Sequence, residues 1–170
     1  MSSARLQTAN KFIEQFGTLD TSILSNILAS NYHHIFAPSS IPSPPGPFDK
    51  TGFLAHHSKL QDTMTSFPVL AKETIDNPTE NQVTIWATSS TVFREDVKDY
   101  GDGMTADSWT YRGEYVFMLW MDVSGEKVTR CVEFLDSAGT ERLRVLMKRA
   151  RENRRRRLGV EEGGGWEDGK

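Results

Sequence analysis

What the chain lacks narrows it before any motif is considered. It has a single cysteine, Cys131, so an intramolecular disulfide and a cysteine-based metal site are both excluded, and a reducing, cytoplasmic setting is expected. No apolar run approaches the ~20 residues of a spanning helix, so no membrane association is expected. The opening segment MSSARLQTANKFIEQF has no apolar stretch and carries Glu14, unlike a secretory signal. No internal repeat is present. A surplus of positive charge is also missing: 20 Lys and Arg face 23 Asp and Glu, a net charge of -3.

That total hides an uneven distribution. Residues 1–140 carry 10 basic and 17 acidic side chains, residues 141–157 carry 9 and 2, and residues 158–170 carry 1 and 4. The body is therefore acidic and repels phosphate, which argues against nucleic acid as its ligand despite its aromatic content. The basic segment, with Lys148, Arg149, Arg151 and the run Arg154, Arg155, Arg156 and Arg157, reads as a helix end favourably placed at its own negative dipole, or as a weak nuclear-localisation patch. The Gly-rich acidic stretch that follows is expected to be a disordered tail. At 170 residues, 37% hydrophobic, the chain suits one domain over residues 1–150, with residues 151–170 as helix end and tail.

Within that domain, Ala9, Phe12, Ile13 and Phe16 recur at helical spacing over residues 4–16, and Gly17 closes the segment. A second helix opens at Asp20 or Thr21 with Ile23, Leu24, Ile27 and Leu28 as its stripe. Residues 31–37 (NYHHIFA) predict a strand, and the proline-rich SSIPSPPGP forbids helix and ladder alike. Asp49 caps a third helix over residues 50–64, whose one face carries Phe53, His57, Leu60 and Met64, with His56 on its shoulder. Four strands follow, at 69–76, 82–93, 109–121 and 127–135, with a long polar loop at 94–107 and a tight turn at Ser124 and Gly125. Asp136 and Ser137 precede a last helix over residues 138–155 with Leu143, Leu146 and Met147 as its apolar positions. Helices segregated from consecutive strands mean α+β. An antiparallel sheet wrapped around the N-terminal helices should curve into a cone with an apolar pocket at its open end.

The residues YRGEYVFMLWMDVSGEKVTRCVEFLD, with NYHHIFAPSS upstream and the helix ending SFPV, carry a resemblance. The chain from residue 5 to about 136 resembles the SnoaL-like branch of the nuclear transport factor 2-like superfamily, and more loosely its small fungal members. Glu133, Phe134, Leu135 and Asp136 stand where that branch has an "EYFD"-like element. The superfamily includes ketosteroid isomerase, polyketide cyclases, scytalone dehydratase, limonene epoxide hydrolase and many non-enzymes, so fold alone does not name a reaction. Epoxide-hydrolase relatives need an Arg and an Asp on the strand where this chain has Thr88 and Ser90, which rejects that activity.

The resemblance implies that Glu133 points into the pocket, and strand alternation then gives Cys131 and Leu135 the same side. By the same parity Trp109, Tyr111, Gly113 and Tyr115 face in, with Arg112 and Glu114 outward. His33 and Ile35 face in on the first strand, with His34 taking the role if the register slips by one residue. Trp86, Thr88, Ser90 and Val92 face in on the second strand of the meander. Proton transfer next to a carbonyl needs a base and a partner that returns the proton or steadies the enolate, and His33, His57 and Glu133 are the candidates. His34, His56, Leu60, Met64, Trp86, Thr88, Ser90, Trp109, Tyr111, Tyr115, Cys131 and Leu135 complete the expected pocket. Asp107 reads as loop polarity. No metal is expected, because the adjacent pairs His33-His34 and His56-His57 diverge and chelate poorly.

Two functions fit this reading. One is a cofactor-independent isomerase, cyclase or dehydratase acting on a ketone-containing polyketide or terpenoid-like metabolite. The other is a non-catalytic domain that binds a small apolar ligand or pairs with a second copy, through an outer sheet face carrying Arg112, Glu114, Met118 and Trp120.

Overall fold

Each helix begins at a side chain that satisfies a free backbone amide. In the computed structural model, which describes residues 3–41 and 45–160, Ser3 accepts from the Leu6 amide to open α1 (Ala4–Glu14), and Asp20 accepts from Ser22 to open α2 (Thr21–Ile27). Asp49 caps α3 (Lys50–Ser58) through the Gly52 amide, and Asp136 caps α4 (Ser137–Arg157) through that of Gly139. The third helix stops short of the predicted 64: a single 3₁₀ turn covers Lys59–Asp62, and Met64 begins a short strand. Ile23, expected in the buried stripe of α2, lies on its exposed side, and Leu28 already belongs to the next strand.

Among the described residues, seven strands form one sheet: β1 (Leu28–Ala37), β2 (Phe48–Asp49), β3 (Met64–Ser66), β4 (Val69–Asn77), β5 (Gln82–Phe93), β6 (Tyr111–Met121) and β7 (Val128–Leu135). Their order is β2-β1-β7-β6-β5-β3, with β4 also paired to β5. Strands β4 to β7 form the expected antiparallel meander. The sheet as a whole is mixed, however, because β1 lies parallel to β7, with His34 opposite Cys131 and Phe36 opposite Glu133. A parallel neighbour needs a long crossover, and everything from α3 to β6 supplies it. The sheet does not close into a barrel.

The concave face of the sheet holds the core. Phe12 of α1 packs edge-on against Phe117 of β6 and stacks with Phe53 of α3, tying two helices to the sheet. Val83, Ile85, Ala87, Phe117, Leu119 and Cys131 are buried beneath them. On β5 this corrects the expected parity: Val83, Ile85, Ala87, Ser89 and Thr91 face in, while Trp86, Ser90 and Val92 face out and Thr88 lies outside the buried set. The aliphatic set is continuous on one side of β5, and Trp86 finds a surface berth, its ring under the Lys72 ammonium at 3.6 Å and its indole N–H on Glu114 at 2.5 Å.

The 94–107 loop is better anchored than a free hairpin loop. Val97 is fully buried, and Trp109, in a 3₁₀ turn ahead of β6 rather than on the strand, packs edge-on against Phe93 and donates to the Asp99 carbonyl. The loop also receives α4. Asn153, buried, donates to the Val97 carbonyl at 2.9 Å, and Arg149 makes a two-pronged pair with Asp99 at 2.8 and 3.0 Å. Arg154 reaches Asp62 at 2.5 Å. Part of the basic block therefore docks on the acidic body. The expected acidic tail lies outside the described residues, and no helix among those described is long and apolar enough to cross a membrane.

Gly113 sits where no side chain fits: a Cβ there would meet the Tyr111 hydroxyl at 2.1 Å and that of Tyr115 at 2.5 Å. Gly113→Ala should therefore cost about 1–3 kcal/mol in denaturant unfolding by forcing one phenol aside. Gly101→Ala, with nothing within 4 Å of the new methyl, serves as the control and should stay close to the parent.

Candidate active site

Alternation along β7 puts Cys131, Glu133 and Leu135 on the concave side, as expected, with Arg130 and Phe134 outside. Glu133 keeps 6% of its surface and opens onto a cavity of about 680 Å³, within the usual range for small-molecule sites. Phe16, Phe53, Phe67, Leu60, Met64, Leu135 and Met147 supply apolar walls, and Tyr115, His56 and His57 the polar points.

The adjacent histidines of β1 resolve against the first expectation. Tyr32 and His34 are buried and His33 is exposed, so it is His34 that joins the site. The reason is packing: Tyr32 and His34 share the side that meets Phe53, with His34 stacked on that ring at 4.2 Å, and the buried Leu28 lies on the same side of the strand. His34 Nδ1 lies 2.7 Å from the Tyr32 hydroxyl, and Nε2 lies 3.2 Å from Glu133 Oε2. The second contact is within ion-pair reach but poorly angled, leaving Nε2 without a well-directed hydrogen bond. Behind Tyr32, the fully buried Cys131 thiol completes a row of polar groups leading from the core to the cavity. Burial raises both the Tyr32 phenol and the Cys131 thiol well above their ordinary pKa values, so both stay protonated.

His57 holds the expected place on the apolar face of α3, edge-on to Phe16 at 5.0 Å. Its Nε2 is buried without a partner. Burial, reinforced by the neighbouring His56 and His34, pushes its pKa down to about 4, so the ring is neutral near pH 7. His56, half-buried, is lowered to about 4 by burial first and then by His34, Arg151 and Lys59. On β6 the Tyr115 hydroxyl lies 2.9 Å from that of Tyr111, and burial raises both phenols. When Tyr111 donates to Tyr115, the Tyr115 hydrogen is free for a ligand oxygen.

The expected set thus divides. Glu133, His57, His56, Leu60, Met64, Tyr115 and Leu135 line the cavity, while His34, Tyr111 and Cys131 stand directly behind it. His33, Trp86, Thr88, Ser90 and Trp109 do not reach it. His33 faces out, away from His57 and Glu133, and no group of three or more His, Cys, Asp or Glu with metal-binding geometry occurs among the described residues. Sequence reasoning missed one whole wall, α4, which contributes Thr140, Leu143, Arg144, Met147, Lys148 and Arg151. The spacing of Leu143 and Met147 signalled a buried stripe, though not that the stripe closes the cone.

No protein-family model matches the chain, and no curated protein matches its sequence. Solved structures do. AusH from Aspergillus nidulans is 24% identical over 79% of this chain and 84% of its own, with a TM-score of 0.63. The BvnE pinacolase from Penicillium brevicompactum is 16% identical over 85% and 91%, at 0.67. A protein described as a SnoaL-like polyketide cyclase, from Jannaschia sp. CCS1, is 11% identical over 81% and 89%, at 0.59. The chain therefore has the SnoaL-like, nuclear transport factor 2-like fold that its last two strands suggested.

The depressed histidine has a consequence for stability. In the unfolded chain His57 takes up a proton near pH 6.5, whereas in the folded protein it does so only near 4. Unfolding therefore binds protons between those values, and stability falls as pH drops through that window, by about 3 kcal/mol at most for this residue. Denaturant titrations from pH 7 to 4 should show that slope, and since His56 is lowered in the same way, His57→Gln should reduce it by about half.

Proposed function

We propose that the protein is an acid/base enzyme of the isomerase, cyclase or dehydratase kind, acting on an apolar, ketone-bearing metabolite of polyketide or terpenoid-like character. The observation that carries this reading is a buried carboxyl, Glu133, opening onto an apolar cavity that also holds a neutral histidine with an unpartnered ring nitrogen. A pinacolase and a protein described as a SnoaL-like polyketide cyclase, both of the same fold, support the general kind of chemistry.

The steps follow from what each group can do. A ketone entering the cavity loses apolar surface to Phe16, Phe53 and Phe67 and places its oxygen among the polar groups of the wall. Neutral His57 and the Tyr115 hydroxyl are donors for that oxygen, and they strengthen as negative charge grows on it. Glu133 takes the proton from the adjacent carbon and returns it elsewhere on the skeleton, or to a departing hydroxyl in a dehydration. His34 does not line the cavity, so the acid/base share first assigned to His33 becomes a positioning role for His34, which, backed by Tyr32, steadies the carboxyl from behind. None of these steps calls on a cofactor. A domain that only pairs with a second copy calls for a pocket filled by its own side chains, and an open cavity of about 680 Å³ with Glu133, His56 and His57 on its wall favours the enzyme over that reading.

A substrate need not be known to test the base. Exchange of the α-hydrogens of tetralone, a bicyclic apolar ketone, into D₂O can be followed by proton NMR with and without protein. The protein should accelerate exchange, and Glu133→Gln should lose at least about 100-fold of that acceleration with its thermal midpoint nearly unchanged. Exchange undiminished in a folded Glu133→Gln variant would remove the assigned role.

A further inference from the structure

The cations of α4 are put to different uses. Arg149 is committed to Asp99, with Asp102 at 3.4 Å, and Arg154 to Asp62. Arg156 donates to Asn153, Arg157 to the Lys98 carbonyl, and Arg144 pairs with Glu141. Lys148 and Arg151 make no ion pair or hydrogen bond among the described residues, and Glu152 close by on the helix does not pair with either. Both line the cavity, on the same helix face as Arg144.

Burial orders the cavity from inside to out. Glu133, His57, Phe53 and Tyr115 are buried at one end, whereas Lys148 and Arg151 are exposed and so stand at the mouth. The Arg151 charge is felt by His56 of α3, which lines the same cavity. Two like charges three residues apart repel each other until an anion sits between them. Such an anion is favoured at the mouth by charge-assisted hydrogen bonds and disfavoured at the inner end by the Glu133 carboxyl.

We propose that the ligand is an acid: an apolar ketone whose carboxylate is held at the cavity mouth by Lys148 and Arg151, with the carbonyl end directed inward. The inward placement of the carbonyl rests on the function proposed above, while the recognition of the carboxylate does not. Charge then fixes the direction of entry, presenting the ketone rather than the acid to Glu133.

The test uses matched probes, acetylnaphthoate and its methyl ester, measured by calorimetry on the full chain. The acid should bind about ten-fold or more tighter than the ester at low salt, and the preference should shrink as salt is raised. In Lys148→Gln/Arg151→Gln the preference should vanish while ester affinity stays the same. Equal affinity for acid and ester in the parent, or a preference that survives in the double variant, would overturn the proposal. Failure of both probes to bind would also overturn it, together with the cavity as a ligand site. Tighter binding of naphthyl phosphate than of the acid would assign the cations to a phosphate and overturn the carboxylate. Glu133→Gln separates the two readings: the acid preference should persist in it whatever happens to hydrogen exchange.

Discussion

A carboxyl on the inner face of a cone cannot be left among hydrocarbons alone, and meeting that demand organises this molecule. Leaving a charge unpaired in an apolar interior costs several kcal/mol, so a buried Glu has to find a partner or a ligand. Here the partner comes from β1. Its parallel pairing to β7 carries His34 alongside Cys131 and brings the imidazole within 3.2 Å of Glu133, with Tyr32 holding the other ring nitrogen. His34 thus stands behind one face of the carboxyl, and the cavity opens before the other.

The rest of the fold can be understood from that division. The aromatic wedge of Phe12, Phe16 and Phe53 fills the closed part of the cone and keeps His34 dry, while α3 places His57 on the opposite wall. Helix α4 then lies across the open end, fixed by Asn153 to the Val97 carbonyl and by Met147 against the Thr63 hydroxyl. Its buried side gives the cavity Leu143 and Met147, and its exposed side gives the mouth a positive charge. A single helix thus sets both the shape of the entrance and its electrostatic preference.

Much of this was legible in the amino-acid sequence. The helix caps Asp20, Asp49 and Asp136, the antiparallel meander and the buried His57 follow from spacing and capping chemistry, and the inward run Cys131, Glu133 and Leu135 from the family resemblance together with strand alternation. Two parities did not. On β1 the buried series Leu28, Tyr32 and His34 runs along one side of the strand, and the aromatic Tyr32 marked that side better than the histidine pair did. On β5 the continuous aliphatic series Val83, Ile85 and Ala87 was the better guide, and Trp86 finds its cover on the outer face, beside Lys72 and Glu114. The parallel β1–β7 pairing and the closure by α4 depend on contacts between distant parts of the chain, which local periodicity does not encode.

The central claim is that Glu133 and His57 face one another's ligand across the same cavity. A crystal structure of the protein soaked with tetralone tests it most directly. The account requires the ketone inside the cavity, its oxygen within hydrogen-bond distance of His57 or Tyr115 and an α-carbon against a Glu133 oxygen. A ketone bound with its oxygen turned toward the mouth and no α-carbon near Glu133, or bound outside the cavity altogether, would contradict it.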